Sequence, residues 1–211
     1  MADIRDLITR LQLQTPEAPE PALVRCYVDA AREFFSNTLA WQTDDPMLFA
    51  SDFEAPAATT AFSVLVGDGQ EIVDARSVRY GNEELRKATL AQMRRQSAMT
   101  GRPQLYRLVP GSQLLVISPP TAQADQISGV FAIQPSRDAQ EIGDEAANRF
   151  GDVIEHGALA RLLMMPHTEW REPETAAYYR GLFQEAKDKA RATAADEGMV
   201  GVPRRVRYGG Y

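Results

Sequence analysis

The residues that most often carry chemistry in proteins are few in this sequence and poorly spaced for it. The two histidines, His156 and His167, are eleven residues apart, whereas metal ligands on one helical face recur about one turn apart. Cys26 is the single cysteine, so the chain can form neither an internal disulfide nor a zinc site with two thiolates. It lies between apolar helix positions with no histidine nearby, which indicates a small core residue rather than a reactive thiol. We therefore predict no metal site.

The glycines and the acidic pairs give no catalytic pattern either. Gly67-Asp68-Gly69 is no phosphate loop, because no third glycine opens a helix and no Gly-Lys-Ser/Thr sequence follows; we interpret it as a hairpin turn. Asp44-Asp45 and Glu83-Glu84 are adjacent along the chain, where carboxylates seldom face each other, and are interpreted as solvated charges. The sequence thus predicts no catalytic residue, no cofactor and no enzyme. A hydrolase using acids from the middle of the chain is a third and weaker hypothesis.

Charge is distributed unevenly along the chain. The formal net charge is −6, and the first 60 residues hold ten acids and four bases, so the remainder is balanced. The last nine residues contain three arginines, two tyrosines and no acid, which favours a clasp for an acidic partner or nucleic acid; the alternative is a frayed terminus. Tyrosine favours contact, since its ring gives a large area at low entropic cost. The candidate partner-binding residues are Arg204, Arg205, Val206, Arg207, Tyr208 and Tyr211.

Neither a targeting segment nor a membrane segment is predicted. The first six residues alternate acidic and apolar types, whereas an export signal has a basic start and an unbroken apolar run, so the mature chain is expected to begin near residue 1. No stretch approaches the roughly 18 uncharged apolar residues of a membrane-spanning helix. We expect a soluble protein in a reducing compartment, with no membrane partner.

Apolar spacing predicts helices at both ends of the chain and strands between them. Short helices are expected up to Thr15 and, after a proline-rich link, from Pro21 onward. Two longer helices are expected over 144–165 and from Glu172 to just before Gly198. In the middle, β-rich runs and one helix are predicted over 61–66, 72–78, 83–98 (the helix), 104–109, 113–118 and 127–134.

The order of these elements predicts an α+β fold, with a helical bundle built from the N- and C-terminal helices and a β-rich central subdomain. We divide the chain into N-terminal helices (1–42), a β-rich central subdomain with one inserted helix (43–136), a C-terminal helical hairpin (137–197) and an extended basic tail (198–211).

Several stretches are also similar in pattern and order to one known family. Residues 23–41 resemble the second helix of that family, residues 72–81 its β-strand, and residues 157–170 with 178–183 its closing helical hairpin. The likeness covers most of the chain, and residues 86–126 match least. The family is that of the head-to-tail adaptor proteins of tailed bacteriophages.

The resemblance implies a structural virion protein of the neck, at the head–tail junction, that is made in the host cytoplasm. Such adaptors form a ring, commonly of twelve copies, beneath the portal protein and extend the DNA channel toward tail or nozzle proteins. Double-stranded DNA then passes through the lumen without specific binding. Their C-terminal segment often grips the portal and corresponds here to about Val202 to Tyr211. The alternative function is a nucleic-acid-binding module that uses the basic tail.

Overall fold

Helices and sheets occur together in this chain, which confirms the predicted α+β class. No described helix is long and apolar enough to cross a membrane. The computed structural model describes residues 1–44, 47–50, 59–96, 101–109, 111–121 and 127–197.

The described residues form six helices, most of them near the two ends of the chain. They are α1 (Ile4–Leu7), α2 (Thr9–Gln14), α3 (Glu20–Thr38), α4 (Leu90–Gln96), α5 (Asp144–Leu162) and α6 (Pro173–Glu197). The single helix predicted up to Thr15 is divided into two at Ile8. Helix α3 has Pro21 in its first turn. It is capped at its C-terminus by Leu39, whose φ of 56° is left-handed.

Helices α3, α5 and α6 bury their apolar faces against one another. Phe34 of α3 is almost fully buried, and its ring centroid lies 5.0 Å from that of Phe150 on α5 and 6.2 Å from that of Phe183 on α6. Gly157 of α5 allows the close approach of α6, because a β-carbon there would lie 2.7 Å from the Phe183 ring. The bundle therefore has one aromatic centre shared by its three long helices.

The described strands form one two-stranded ladder and two larger sheets. The strands are β1 (Ala2–Asp3), β2 (Gln42–Thr43), β3 (Met47–Ala50), β4 (Thr60–Leu65), β5 (Gln70–Tyr80), β6 (Glu83–Glu84), β7 (Arg86–Lys87), β8 (Leu105–Leu108), β9 (Leu114–Ser118), β10 (Ile127–Pro135) and β11 (Glu141–Ile142). Strand β1 pairs with β11. The inner sheet has the order β2-β10-β5-β6, and α3 lies against β10. The outer sheet has the order β3-β4-β9-β8-β7, with β7 and β8 parallel.

The two sheets pack face to face, and α4 covers the far side of the outer sheet. Phe62 of the outer sheet and Phe131 of the inner sheet belong to the cluster between the sheets. Side chains alternate between the two faces of a strand. Ala61 of β4 and Val116 of β9 therefore point to the opposite face of the outer sheet, where they pack with Met93 of α4. The layers therefore run from the helical bundle through the inner and outer sheets to α4.

The hairpin predicted at Gly67-Asp68-Gly69 is wrong. Gly69 does have a positive φ of 69° and the chain does turn there, but β4 pairs with β3 and β9 whereas β5 pairs with β10 and β6. The turn thus carries the chain from the outer sheet to the inner sheet. Turn residues specify that a chain reverses, whereas burial of side chains such as Phe62 decides which strands pair.

The helix predicted over 83–98 is wrong in its first half. Residues 83–87 are short edge strands: the Leu85 amide donates to Val78, and the Arg86 amide donates to Gln104 in the other sheet. The helix begins only at Leu90. Thr89 and Gln92 form a capping box there, since the Gln92 side chain accepts from the Thr89 amide at 2.8 Å and the Gln92 amide donates to the Thr89 hydroxyl at 3.3 Å.

Candidate functional site

The predicted clasp residues lie outside the described part of the chain, so their role stays a prediction. They are Arg204, Arg205, Val206, Arg207, Tyr208 and Tyr211. The structure does show how the helix before them is held. Near the end of α6, Arg191 Nε donates to the carbonyl of Asn37 at 3.1 Å, and Arg76 of β5 donates to the carbonyl of Ala194 at 3.0 Å. Helix α6 is therefore fixed to the end of α3 and to the inner sheet just before the tail begins.

A wide polar groove lies between α1, the first half of α3 and the 137–140 segment before β11. Its volume is about 970 Å³. Five arginines and three acids line it. We call it the arginine groove. Its charged lining residues are Arg5, Arg25, Arg32, Arg137, Arg161, Glu20, Asp29 and Asp138.

Three of the groove arginines are held by partners within the chain. Arg32 donates to the carbonyl of Pro135 at 2.6 Å and pairs with Glu71 at 2.9 Å, and Arg5 pairs with Glu20 at 3.3 Å. Arg161 is paired with Glu33. Because each of these arginines is paired with a carboxylate, together they form a fixed floor whose charge is largely neutralised.

The other two groove arginines are available to a partner. Arg25 has a side chain that is 83% exposed, and its distance to Asp29 is 4.0 Å, at the limit of an ion pair. Arg137 is exposed and has no ion pair with any residue that the structure describes. The groove thus combines a fixed floor with two accessible guanidinium groups, each of which can hold a carboxylate in bidentate fashion.

Arg161 also connects the arginine groove to a charge network around Glu33 of α3. Arg161 and Lys187 both donate to the Glu33 carboxylate, with Lys187 Nζ 2.5 Å from Oε1. Burial opposes the ionisation of Glu33, but the hydrogen bonds and charges of Lys187 and Arg161 outweigh it and hold the pKa of Glu33 below its ordinary value. Lys187 is only 7% exposed, and its Nζ lies 4.8 Å from the Phe183 ring centroid. The network ties α6 to α3 and α5.

Sequence reasoning missed both features. Glu33 is 128 residues from Arg161 and 154 from Lys187 along the chain, so no local pattern connects them. One signal was present: Lys187 continues the stripe of Ala176, Phe183 and Ala194, which are the buried positions of α6. A lysine on such a stripe indicates a buried cation that needs a carboxylate partner.

The other candidate chemical residues are separate in the structure. Cys26 is buried, and burial raises the pKa of its thiol to about 11, as fits an unreactive core residue. His156 of α5 stacks on Tyr179 of α6 at 5.6 Å between ring centroids, and burial lowers its pKa. His167 lies in the turn between α5 and α6. Among the described residues, no three acids, histidines or cysteines are grouped as metal ligands.

Comparison with known proteins gives the class of the chain. Residues 2–207 match the family model described as SU10 adaptor protein. A search of the curated proteins finds no match. The family match covers nearly the whole chain, so the protein is a structural adaptor of a bacteriophage virion. It belongs to the SU10 adaptor protein family, which confirms the sequence-based prediction of a phage adaptor.

Proposed function

We propose that this protein is a head-to-tail adaptor that forms a ring of twelve copies beneath the portal and extends the DNA channel toward the tail proteins. The observation that carries this proposal is the match to an adaptor family over residues 2–207. An adaptor in the virion neck must contact its own copies, the portal above and the tail proteins below. The proposed location is therefore the head–tail junction.

The architecture supports a ring because a closed ring needs two different surfaces that complement each other. The helical bundle and the packed sheets have separate cores, so the chain has a helical side and a sheet side that can serve as the two surfaces. The chain's charge also suits a DNA channel. Duplex DNA carries about one negative charge per 1.7 Å, and a strongly basic wall would retain it through counterion release. A subunit with a net charge of −6 supports passage rather than retention.

The tail is proposed to clasp the portal. Its three arginines and two tyrosines follow α6, whose last turns are tied to Asn37 and to Arg76. A segment that leaves a rigidly held helix loses less entropy on binding than one that leaves a loose helix. This supports a gripping role for the residues from Val202 to Tyr211.

Deletion of residues 203–211 tests the clasp. We expect the truncated protein to lose binding to a portal ring in sedimentation assays while its thermal unfolding stays unchanged. A triple substitution of Arg204, Arg205 and Arg207 by alanine separates charge from the tyrosine contacts. Undiminished portal binding of the truncated protein would remove the clasp. If the deletion instead abolished a salt-dependent affinity for DNA and left portal binding intact, the tail would be a nucleic-acid-binding arm.

A further inference from the structure

Positive charge collects in the part of the chain that forms α4 and the strands on either side of it. Residues 85–124 contain six bases and no acid, although the whole chain carries −6. Two of these bases are neutralised within the chain, since Lys87 Nζ lies 2.5 Å from Asp74 and Arg102 lies 3.2 Å from Glu83. The other four are Arg86, Arg94, Arg95 and Arg107.

Two of these four arginines belong to the outer sheet and point to the side that α4 covers. Leu105 of β8 and Ala88, directly after β7, are members of the cluster under α4. Side chains alternate along a strand, so Arg107 and Arg86, each two positions from one of these residues, face the same side. Arg86 is exposed and Arg107 is half-buried.

The other two arginines, Arg94 and Arg95, are exposed on α4 itself. We call the surface formed by Arg86, Arg94, Arg95 and Arg107 the basic face. Within the described part of the chain, Arg86, Arg95 and Arg107 form no ion pair. The basic face therefore carries positive charge that the subunit itself does not neutralise.

A surface of opposite charge lies on the helical bundle. Asp3 and Glu141 are direct cross-strand partners in the β1–β11 ladder, and both are exposed. Like charges in this position repel each other, so the isolated subunit bears a cost that a cation from another chain would remove. Asp6 of α1 and Glu145 of α5 are also exposed, and their helices directly follow β1 and β11.

We call Asp3, Asp6, Glu141 and Glu145 the acidic end. None of them forms an ion pair with a residue that the structure describes. The Met1 amino group near Glu141 is paired with Asp144 at 2.8 Å, and Arg5 is paired with Glu20. The nearby cations thus leave the acidic end negative.

The two surfaces do not meet within one chain. Ile4 and Ile142, next to Asp3 and Glu141, are buried in the core of the bundle, whereas the basic face lies beyond the inner and outer sheets. We propose that the basic face of one copy binds the acidic end of the next copy, and that this contact closes the ring. The inference rests on the ring proposed above and names the two different surfaces that such a ring requires.

The basic face fits carboxylates better than the DNA of the channel. Arginines left uncovered in every copy of a ring around DNA would bind phosphates through counterion release and retain the DNA that the ring must let pass. Carboxylates of a neighbouring copy neutralise these arginines, and each guanidinium group can hold one in bidentate fashion. The acidic end offers four carboxylates to the four arginines of the basic face, so the charges of the contact balance.

Charge reversal on each surface tests the contact. The basic-face variant carries Arg86→Glu and Arg95→Glu, and the acidic-end variant carries Glu141→Arg and Glu145→Arg, all at exposed positions. A combined variant carries all four substitutions in one chain. Glu141→Arg replaces the repulsion with Asp3 by an attraction, so the acidic-end variant should lose rings without loss of folding.

Two control variants change the net charge by the same amounts at exposed positions outside both surfaces. Arg171→Glu with Lys189→Glu matches the basic-face variant, and Glu172→Arg with Glu174→Arg matches the acidic-end variant. Circular dichroism and thermal unfolding establish that each variant is folded.

The readout is the number of complete rings on a portal ring in negative-stain electron micrographs. We expect the basic-face and acidic-end variants each to form about tenfold fewer rings than the wild type, because each opposes like charges across the contact. Both controls should match the wild type. The combined variant should form more rings than either of its parents, since the reversed charges attract again. Two unrelated defects in folding or portal docking would not cancel in this way.

The remaining outcomes contradict the inference in distinguishable ways. Normal rings from the basic-face or the acidic-end variant would overturn the contact and leave the proposed function standing. A combined variant with no more rings than its parents would show that the two surfaces have other partners. Salt-dependent binding of a 20-base-pair duplex that the basic-face variant loses would assign the basic face to nucleic acid. Absence of rings from the wild type would refute the proposed function itself, and the inference with it.

Discussion

At the scale of single residues, the pKa values of two acids in the helical bundle are shifted in opposite directions, although burial raises both. Glu33 has two cationic partners that outweigh its burial, and its pKa is lowered. Glu155 is 8% exposed, its nearest cation is Arg10 at 3.7 Å, and burial raises its pKa. The number and distance of cationic partners thus decide which of the two carboxylates stabilises the fold at neutral pH.

Replacement of Lys187 by methionine should weaken the bundle. The variant leaves Glu33 with Arg161 alone, and we expect a loss of about 1–3 kcal/mol in the free energy of unfolding, less than for a fully buried pair because the Glu33 side chain is 38% exposed. Lys189→Met is the matched control, since Lys189 forms an exposed pair with Glu185 on the same helix, and exposed pairs of this kind contribute little to stability. Urea unfolding measures both variants, and equal losses would contradict a structural role for the network.

The pH dependence of stability should differ in sign between Glu33 and Glu155. A carboxyl whose pKa is lowered by folding stabilises the protein above its unfolded-state pKa, and this contribution is lost as the pH falls through the folded-state value. The destabilising effect of Glu33→Gln should therefore be largest near pH 7 and fade toward acid. Glu155→Gln should instead stabilise the protein at pH 7; this gain should fade as the pH falls through the raised folded-state pKa of Glu155 and be absent below the unfolded-state pKa. The denaturant midpoint of each variant, measured from pH 7 to pH 3 against the wild type, reports these effects. A change of the same sign in both variants at pH 7 would contradict the prediction.

At the scale of elements, the contact between α5 and α6 sets where the tail begins. Gly157 faces the Phe183 ring, and the Arg161 guanidinium on the next turn lies 5.9 Å from the centroid of that ring. Lys187 approaches the same ring from α6. One aromatic side chain is therefore held between a glycine and two cations, which fixes the position of α6 along α5.

Two glycine-to-alanine substitutions should have opposite effects on stability. At Gly157 the new methyl group would lie 2.7 Å from the Phe183 ring, so Gly157→Ala should destabilise the protein by roughly 1–3 kcal/mol through overpacking. At Gly181, on the exposed side of α6, an added β-carbon would meet nothing within 4 Å. Gly181→Ala should stabilise by about 0.5–1 kcal/mol, because alanine favours the helix. Thermal unfolding compares the two, and a neutral Gly157→Ala would contradict the close helix contact.

Helices with a regular apolar stripe were predictable from the sequence, and strand partners were not. The stripes of α3, α5 and α6 are local patterns, and these helices were predicted close to their observed positions. The pairing of β4 with β9 and of β5 with β10 joins strands 40 or more residues apart, which the turn at Gly69 does not encode. The start of α4 had a local signal, the Thr89 and Gln92 capping box, but the apolar residues before it imitated a helix.

The candidate sites were predictable only where they are continuous in sequence. The basic tail was identified as a run of arginines and tyrosines. The arginine groove was not, because Arg5, Arg137 and Arg161 meet only after the chain has folded. Charge counting did find the acidic first part of the chain, although not that most of its few bases share one groove.

At the scale of the whole molecule, charge is distributed unevenly. The chain carries −6 overall, five arginines line one groove, and its last residues are basic. Such separation gives a subunit distinct surfaces for its own copies and for other proteins. A structural adaptor requires this property, and membership of the SU10 adaptor family agrees with it.

The most direct test of the account is electron microscopy of the full-length protein mixed with a portal ring from the same phage. The account predicts a closed ring of twelve copies stacked coaxially on the portal, with an open channel through both. Full-length protein that leaves the portal bare at saturating concentration, or that binds it only as scattered single copies, would contradict the central claim.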